Sequence, residues 1–205
     1  MIEIVLNNIS KSFGSLSLYK DLQYTFRPGR CHFILGHNGS GKSTLLQIIS
    51  QMALPDKGQV EVYQDGQALK SEDYRQVLGI VSPELQLYSH LTARENIRFL
   101  AGMRQNLEDK DIDEVLDRVG LEAVKDKPMG AFSTGMKQRL KFAVLLASGA
   151  QVWLLDEPTS NLDDVGKAFV REVVEEALAQ GATILWATNE TGEVTEDADI
   201  FRVDA

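Results

Sequence analysis

The sequence predicts an α/β fold: a parallel-sheet core with an N-terminal antiparallel β segment and an inserted α-helical subdomain. Residues 31–35 and 152–155 are continuous apolar runs, which are typical of strands buried on both faces by covering helices. Strand patterns at residues 2–6 and 60–63, separated from the next elements by turn residues, indicate the β segment. Between the two apolar runs, the patterns at residues 92–103, 112–119 and 135–146 are helical, which interrupts the α/β core.

The residues after the first apolar run fit the pattern G-x-x-x-x-G-K-[S/T] without a mismatch. They lie between a predicted strand and a predicted helix, the context in which such a loop cradles phosphates, so a chance match is disfavoured. Lys42 would reach the β- and γ-phosphates, and the Ser43 hydroxyl would coordinate Mg²⁺. We therefore expect a nucleoside triphosphate to bind here. The predicted binding residues of this phosphate loop are Gly36, His37, Asn38, Gly39, Ser40, Gly41, Lys42, Ser43 and Thr44.

The second apolar run ends in Asp156, Glu157 and Pro158. Side chains just beyond the C-terminal end of a parallel strand lie in the crevice where open α/β sheets bind ligands. We expect Asp156 to hold Mg²⁺, through water, and Glu157 to polarise the water that attacks the γ-phosphate. An apolar run followed by an acid also fits a strand that simply ends in a turn, but the phosphate loop upstream favours the functional interpretation.

Residues 132–136, shortly before the second run, resemble the L-S-G-G-Q signature of ATP-binding cassette (ABC) ATPases. Ser133 and Gly135 match the signature, whereas Thr134 and Met136 depart from it. A helix N-terminus with a hydroxyl and a free N–H would face an anion. Taken alone, Ser133 also fits an ordinary helix N-cap.

Other segments extend the resemblance to ABC ATPases over nearly the whole chain. Residues 160–163 resemble the D-loop of the family, and residues 91–96 resemble a segment found between its phosphate loop and signature. Residues 9–14 resemble its A-loop region, which places Phe13 where an aromatic ring stacks on adenine; the alternative is a core aromatic residue. The chain is identified as a member of this family. The resemblance implies a RecA-like P-loop NTPase core, residues 1 to about 80 and 150–205, around a subdomain of residues 81–149.

One departure from the family concerns its Q-loop glutamine. Alignment on Leu87 and Tyr88 places Pro83 at the glutamine position, with Glu84 beside it. A carboxylate oxygen coordinates Mg²⁺ as an amide oxygen does, so Glu84 is the candidate substitute. Gln86 is the alternative if the loop is shifted.

A second departure concerns the switch histidine of the family. The strand pattern at residues 182–188 leads into Asn189, which occupies the histidine's place. An amide donates a hydrogen bond to the γ-phosphate but carries no charge, so slow hydrolysis is expected. The alternative is that Asn189 caps a helix that begins near Glu190.

Composition restricts the class of partner. The 205 residues carry a net charge of −9, which argues against nucleic-acid binding because phosphate backbones attract clustered Lys and Arg. No apolar run approaches the roughly 20 residues of a membrane helix, and residues 1–4 lack the features of an export signal. We expect a cytoplasmic protein that reaches the cytoplasmic face of the membrane through a partner.

The resemblance implies the ATP-binding and ATP-hydrolysing subunit of an ABC transporter, most like the small haem- or drug-exporter cassettes. In such proteins two cassettes, here expected to be a homodimer, enclose two Mg-ATP, and the signature of one completes the site of the other. A transmembrane permease on a separate chain would dock near residues 83–91. Two alternatives are a soluble ABC ATPase that acts on nucleic acid or ribosomes and a regulatory module that barely hydrolyses ATP. Negative charge disfavours the first, and Glu157 disfavours the second.

Overall fold

The chain folds into two sheets and a set of helices. The computed structural model describes residues 1–103, 106–195 and 198–203. The strands are β1 (Ile2–Phe13), β2 (Leu16–Phe26), β3 (Cys31–Leu35), β4 (Lys57–Gln64), β5 (Gln67–Ala68), β6 (Leu78–Val81), β7 (Val152–Asp156), β8 (Thr183–Thr188) and β9 (Asp199–Arg202). The α-helices are α1 (Lys42–Ile49), α2 (Ser71–Val77), α3 (Ala93–Ala101), α4 (Asp109–Arg118), α5 (Thr134–Ala147) and α6 (Asp164–Ala179). Short 3-10 helices lie at Glu122–Val124, Met129–Ala131 and Thr191–Glu193.

The parallel sheet has the strand order β6-β7-β8-β3-β9. Both predicted apolar runs are strands of this sheet, β3 and β7, and they flank β8 on its two sides. Because all neighbouring pairs are parallel, the C-terminal ends of β3, β7 and β8 meet at one edge. The phosphate loop, the acidic pair at the end of β7 and the segment after β8 therefore lie side by side.

The parallel sheet is covered on both faces, which explains its continuous apolar strands. Ile34 and Leu154 pack with α1 and the antiparallel sheet on one face. Phe33 and Trp186 pack with α5 and α6 on the other, with their rings stacked at a centroid distance of 5.2 Å. Successive residues of a strand point to opposite faces, so each run needs apolar side chains at every position.

The antiparallel sheet has the order β2-β1-β4-β5 and confirms the two strands predicted there. Its strand β1 extends well beyond the predicted residues 2–6. The sequence did not predict β2, because most of its side chains are exposed and only Tyr19 and Phe26 are buried. Apolar residues alternate with polar ones over residues 22–26, but Tyr19, Lys20 and Asp21 interrupt this period of two.

The helices α3, α4 and α5 pack around a separate group of buried side chains that includes Ile97, Leu116 and Leu140. The predicted helices are confirmed to within a few residues. Thr92 caps α3 in a capping box with Glu95, as its spacing predicts. The division of the chain into a core and a subdomain stays a prediction, and its residues 104–105, 196–197 and 204–205 lie outside the described residues.

Three elements, α2, β6 and α6, flank segments that carry candidate site residues. The unpredicted pair α2 and β6 leads directly into the loop that contains Pro83 and Glu84. Helix α6 begins after the N-cap Asp163, whose side chain accepts a hydrogen bond from the Gly166 amide. Among the residues that the structure describes, no helix has the length and apolar character needed to cross a membrane.

Candidate nucleotide-binding site

The phosphate loop joins β3 to α1 and depends on its glycines. Gly41, the residue before α1, has a φ of 101°, a backbone conformation that favours glycine. A Cβ atom at Gly41 would lie 2.5 Å from the Tyr19 hydroxyl, and one at Gly36 would lie 2.3 Å from Ser40 Oγ. The loop is therefore too tightly folded at both ends to accept a side chain.

Tyr19 supports the loop from β2. Its buried hydroxyl donates a hydrogen bond to the Gly41 carbonyl. Burial raises the pKa of Tyr19 well above its usual range, so the hydroxyl stays a donor. No local sequence pattern indicates this contact, because Tyr19 lies on the unpredicted strand and 22 residues before its acceptor.

Lys42 is buried inside the loop, with only 5% of its surface exposed. Its Nζ donates hydrogen bonds to the carbonyls of Gly36, at 2.9 Å, and His37, at 3.2 Å. The ammonium group and the free N–H groups at the start of α1 concentrate positive charge at one point. Such a loop is suited to a polyphosphate.

Asp156 meets the start of α1 and the loop after β6. Its Oδ1 is buried and, among the described residues, has no hydrogen-bond partner. Burial raises the pKa of Asp156; a hydrogen bond with Ser43 and the charge of Lys42 oppose this rise, and the nearby Glu84 adds to it. A buried carboxylate oxygen without a partner, beside a hydroxyl and a second carboxylate, fits a hard cation such as Mg²⁺.

The choice between Glu84 and Gln86 stays open. Both side chains line a cavity of about 250 Å³ together with Ser43 and Asp156. The loop that carries them is held by Lys141 of α5, whose Nζ donates to the Ser82 carbonyl at 2.6 Å. Burial lowers the pKa of Lys141.

One open cleft of about 460 Å³ brings together most of the predicted nucleotide site. Phe13 lies at its rim, at the end of β1, with 57% of its surface exposed. The alternative that Phe13 is a core residue is therefore wrong. Gly36, His37 and Ser40 belong to the loop but are not among the residues that line the cleft. The lining consists of Phe13, Leu18, Asn38, Gly39, Gly41, Lys42, Ser43, Thr44 and Glu157.

Glu157 reaches this cleft because the backbone turns sharply at the end of β7. Its φ is +45°, which is unfavourable for a residue with a side chain. The Glu157 amide donates to the Ala187 carbonyl of β8, at 2.9 Å, and its carbonyl accepts from the Ser160 amide, at 3.1 Å. These bonds hold the turn that separates Glu157 from Asp156.

Asn189 contacts the phosphate loop. Its Nδ2 donates a hydrogen bond to Oδ1 of Asn38, at 2.9 Å. The 3-10 helix Thr191–Glu193 has Glu190 as its N-cap residue. The alternative in which Asn189 caps a helix is therefore wrong, and its side chain contacts the phosphate loop at Asn38.

The signature segment lies apart from this cleft. Ser133 is the N-cap of α5 and accepts a hydrogen bond from the Met136 amide at 3.3 Å. Ser133, Gly135 and Met136 line a second cleft, of about 230 Å³, that no residue of the phosphate loop lines; Thr134 is not among its lining residues either. Gly135 leaves open space where a Cβ would stand.

Comparison with known proteins identifies the family. Residues 19–160 match the family model described as "ABC transporter". The chain is 31% identical to the uncharacterized ABC transporter ATP-binding protein YybJ of Bacillus subtilis (strain 168), over 98% of this chain and 90% of YybJ. It is 30% identical to the lantibiotic transport ATP-binding protein SrtF of Streptococcus pyogenes, over 96% of this chain and 84% of SrtF. The structure of cbiO1 from Clostridium perfringens, part of the ABC transporter complex cbiONQ, superimposes with a TM-score of 0.79 at 27% identity, over 97% of this chain and 83% of cbiO1.

This chain belongs to the ABC transporter family, as an ATP-binding subunit with ATPase activity. The predicted fold class, a P-loop α/β core with an antiparallel sheet and inserted helices, is confirmed. The comparisons give no support to a soluble non-transport ATPase or to a regulatory module.

Proposed function

We propose that two copies of this chain close on two Mg-ATP and that hydrolysis drives a separate transmembrane permease in the direction of export. The observation that carries this proposal is the cleft that groups Phe13, the phosphate loop and Glu157. The ATPase activity follows from membership of the family, and the step that each residue performs is inferred from its position in the site.

Lys42 and the amides at the start of α1 bind the β- and γ-phosphates. The exposed ring of Phe13, at the rim of the same cleft, stacks on the adenine base. Ser43 and Asp156 hold Mg²⁺, with Glu84 or Gln86 as the third protein group. When bound, the ion neutralises negative charge on the phosphates.

Glu157 acts as general base toward the attacking water. Its turned backbone directs the carboxylate into the cleft, whereas the preceding Asp156 keeps its strand position. Asn189 gives up its bond to Asn38 and donates to the γ-phosphate instead. This exchange of one acceptor for another needs no charge on residue 189.

The signature acts in trans. Ser133, Thr134, Gly135 and Met136 begin a helix whose cleft is separate from the chain's own phosphate loop. A second copy placed head to tail would bring this helix N-terminus against the γ-phosphate, where its free N–H groups stabilise negative charge. Closure on ATP and opening after hydrolysis then provide the movement.

The permease docks near residues 83–91, on the cytoplasmic face of the membrane. Tyr88 and Phe99 are both about half exposed, at 48% and 50%, and their rings meet edge to face at a centroid distance of 5.0 Å. An exposed aromatic pair of this kind is typical of a protein-binding surface. The name of SrtF, a lantibiotic transport ATP-binding protein, supports a role in transport, and the direction of export follows from the resemblance to small exporter cassettes.

The proposal is tested by ATP binding and turnover in the presence and absence of Mg²⁺. Lys42→Ala should weaken nucleotide binding, whereas the control Lys57→Ala, at an exposed lysine outside the cleft, should not. Co-purification of the chain with a membrane protein, lost when Tyr88 and Phe99 are both changed to Ser, would support the docking surface. Equal ATP affinity of the two lysine variants would contradict the assignment of the site.

A further inference from the structure

Glu193 is a buried carboxylate that the mechanism above does not use. Only 5% of its surface is exposed. Its Oε1 accepts a hydrogen bond from the Thr159 hydroxyl. Its Oε2 accepts a second bond from the indole Nε1 of Trp186, at 3.2 Å.

The two donors belong to different parts of the site. Thr159 is itself buried and lies two residues after Glu157, on the segment that leaves β7. Trp186 lies on β8, next to Ala187, whose carbonyl accepts the Glu157 amide. Glu193 follows Asn189 by four residues. One side chain thus joins the segment that carries Glu157 to the segment that carries Asn189.

A carboxylate is an unfavourable side chain for this position unless its hydrogen bonds are needed. Burial of a charged group carries a large desolvation penalty, and an apolar side chain would fill the space without it. Both oxygens of Glu193 accept hydrogen bonds, one from Thr159 and one from Trp186. This arrangement indicates that Glu193 positions the two segments that it joins, rather than simply filling space in the core.

We propose that Glu193 is a positioning residue for ATP hydrolysis, holding the segments after β7 and β8 in register through Thr159 and Trp186. The backbone at Glu157 has a positive φ, so this segment relaxes if it is released from its neighbours. Glu193 prevents the relaxation by fixing Thr159. It therefore sets the distance of the Glu157 carboxylate from the attacking water and that of Asn189 from the γ-phosphate. The inference rests on the proposed roles of Glu157 and Asn189.

If Glu193 positions these segments, its substitution should lower kcat and leave the affinity for ATP nearly unchanged. Glu193→Ala should lower kcat by about tenfold or more, because a small misplacement of a catalytic group has a large effect on rate. The affinity for ATP should change less than about threefold, since Glu193 accepts its two hydrogen bonds from Thr159 and Trp186 rather than from the phosphate loop. Glu193→Gln should restore most of the lost kcat: its amide oxygen accepts from Trp186, and its amide nitrogen donates to the Thr159 hydroxyl.

A matched pair of threonine variants separates position from stability. Thr159→Val removes the donor to Glu193. Thr183→Val removes an equally buried hydroxyl at the start of β8, which donates to the Ile2 carbonyl at 2.8 Å and accepts from the Gly29 amide at 3.0 Å. Both variants should lower Tm, but only Thr159→Val should lower kcat, by several-fold.

The measurements are steady-state kcat, ATP affinity and Tm for the full chain and its variants. Lower kcat in Glu193→Ala and Thr159→Val, with partial recovery in Glu193→Gln, would support the positioning role. Parental kcat in Glu193→Ala, equal kcat in the Ala and Gln variants, or equal kcat in the two threonine variants would overturn it. If instead Glu157→Gln hydrolyses ATP at the parental rate, the proposed role of Glu157 in hydrolysis is wrong. That result would not bear on the hydrogen bonds of Glu193.

Discussion

The side chain of Asn189 donates a hydrogen bond to Asn38 across 2.9 Å and so connects the end of β8 with the phosphate loop. The two residues are 151 positions apart in the chain. The parallel sheet makes this contact possible, because β3 and β8 are neighbours and end at the same edge. An amide that reaches the phosphate loop is well placed to turn to the γ-phosphate.

Removal of the Asn189 amide should reduce turnover and leave binding nearly unchanged. A hydrogen bond to a charged group contributes about 1.5–3 kcal/mol, so Asn189→Ala should lower kcat by about tenfold or more. Asn189→His should retain or raise kcat. The pH–rate profile of Asn189→His should show an added ionisation near neutral pH that the parental profile lacks, since an amide does not titrate. Parental kcat in Asn189→Ala would remove Asn189 from the mechanism.

A bulky cation at the signature should block closure. Ser133→Arg places its side chain at the cleft formed by the N-terminus of α5 and leaves the phosphate loop unchanged. ATP binding to the single chain should survive, and dimer formation and turnover should fall together. A Ser133→Arg protein that dimerises on ATP as the parent does would show that the signature does not face nucleotide.

The raised pKa of Asp156 predicts a pH-dependent gain in stability when its charge is removed. The folded chain holds this proton more tightly than the unfolded chain, so the stability contributed by protonation is fully present below the usual value of 3.8 and is lost as the pH rises through the raised pKa. Asp156→Asn should therefore have a higher Tm than the parent without nucleotide and Mg²⁺, by a margin that grows from pH 3.8 through the raised pKa and is constant above it. Its Mg-dependent turnover should fall by about 10²-fold or more.

Thermal unfolding at several pH values checks this prediction. Mg-ATP should raise the Tm of the parental protein more than Mg-free ATP does. In Asp156→Asn the two ligands should raise Tm equally. An Asp156→Asn protein less stable than the parent at every pH would mean that the carboxylate is paired in the folded chain.

The buried hydroxyl of Tyr19 should affect ATP affinity although it does not contact nucleotide in the proposed complex. Tyr19→Phe removes one of two donors to the Gly41 carbonyl, which also accepts from the Leu45 amide at 2.8 Å. Loss of this hydrogen bond costs about 1 kcal/mol and should weaken ATP binding by roughly fivefold. Tyr74→Phe is the matched control, because the buried Tyr74 hydroxyl has no hydrogen-bond partner among the described residues. That control should bind ATP as the parent does; an equal loss in both variants would contradict a specific role of Tyr19.

The parts of the site that the sequence predicts are those carried by short, continuous segments. The phosphate loop, Asp156 and Glu157 follow strands whose apolar runs are unambiguous, and the sheet order places those strands together. The sequence also predicts the cap of α3 at Thr92, because both halves of the capping box lie within one turn.

Residues that act across the fold could not be predicted in this way. Tyr19 and Glu193 act through contacts with residues distant in the chain, and no local pattern marks them. Gln138 is a third case: its Nε2 donates to the Pro158 carbonyl at 2.6 Å and ties α5 to the segment after β7. The choice between Glu84 and Gln86 depends on an irregular loop without periodicity, so neither the pattern nor the shared cavity decides it.

In the proposed dimer, Glu157 is the base of an ATP site that a second copy of the chain completes. The molar mass of Glu157→Gln, measured by light scattering after size-exclusion chromatography with and without Mg-ATP, tests this role. We expect turnover to fall by at least about 10²-fold, ATP affinity to stay within a few-fold, and the mass to double on addition of Mg-ATP. Glu157→Gln that binds Mg-ATP but keeps the mass of one chain, or that hydrolyses ATP at the parental rate, would contradict the claim.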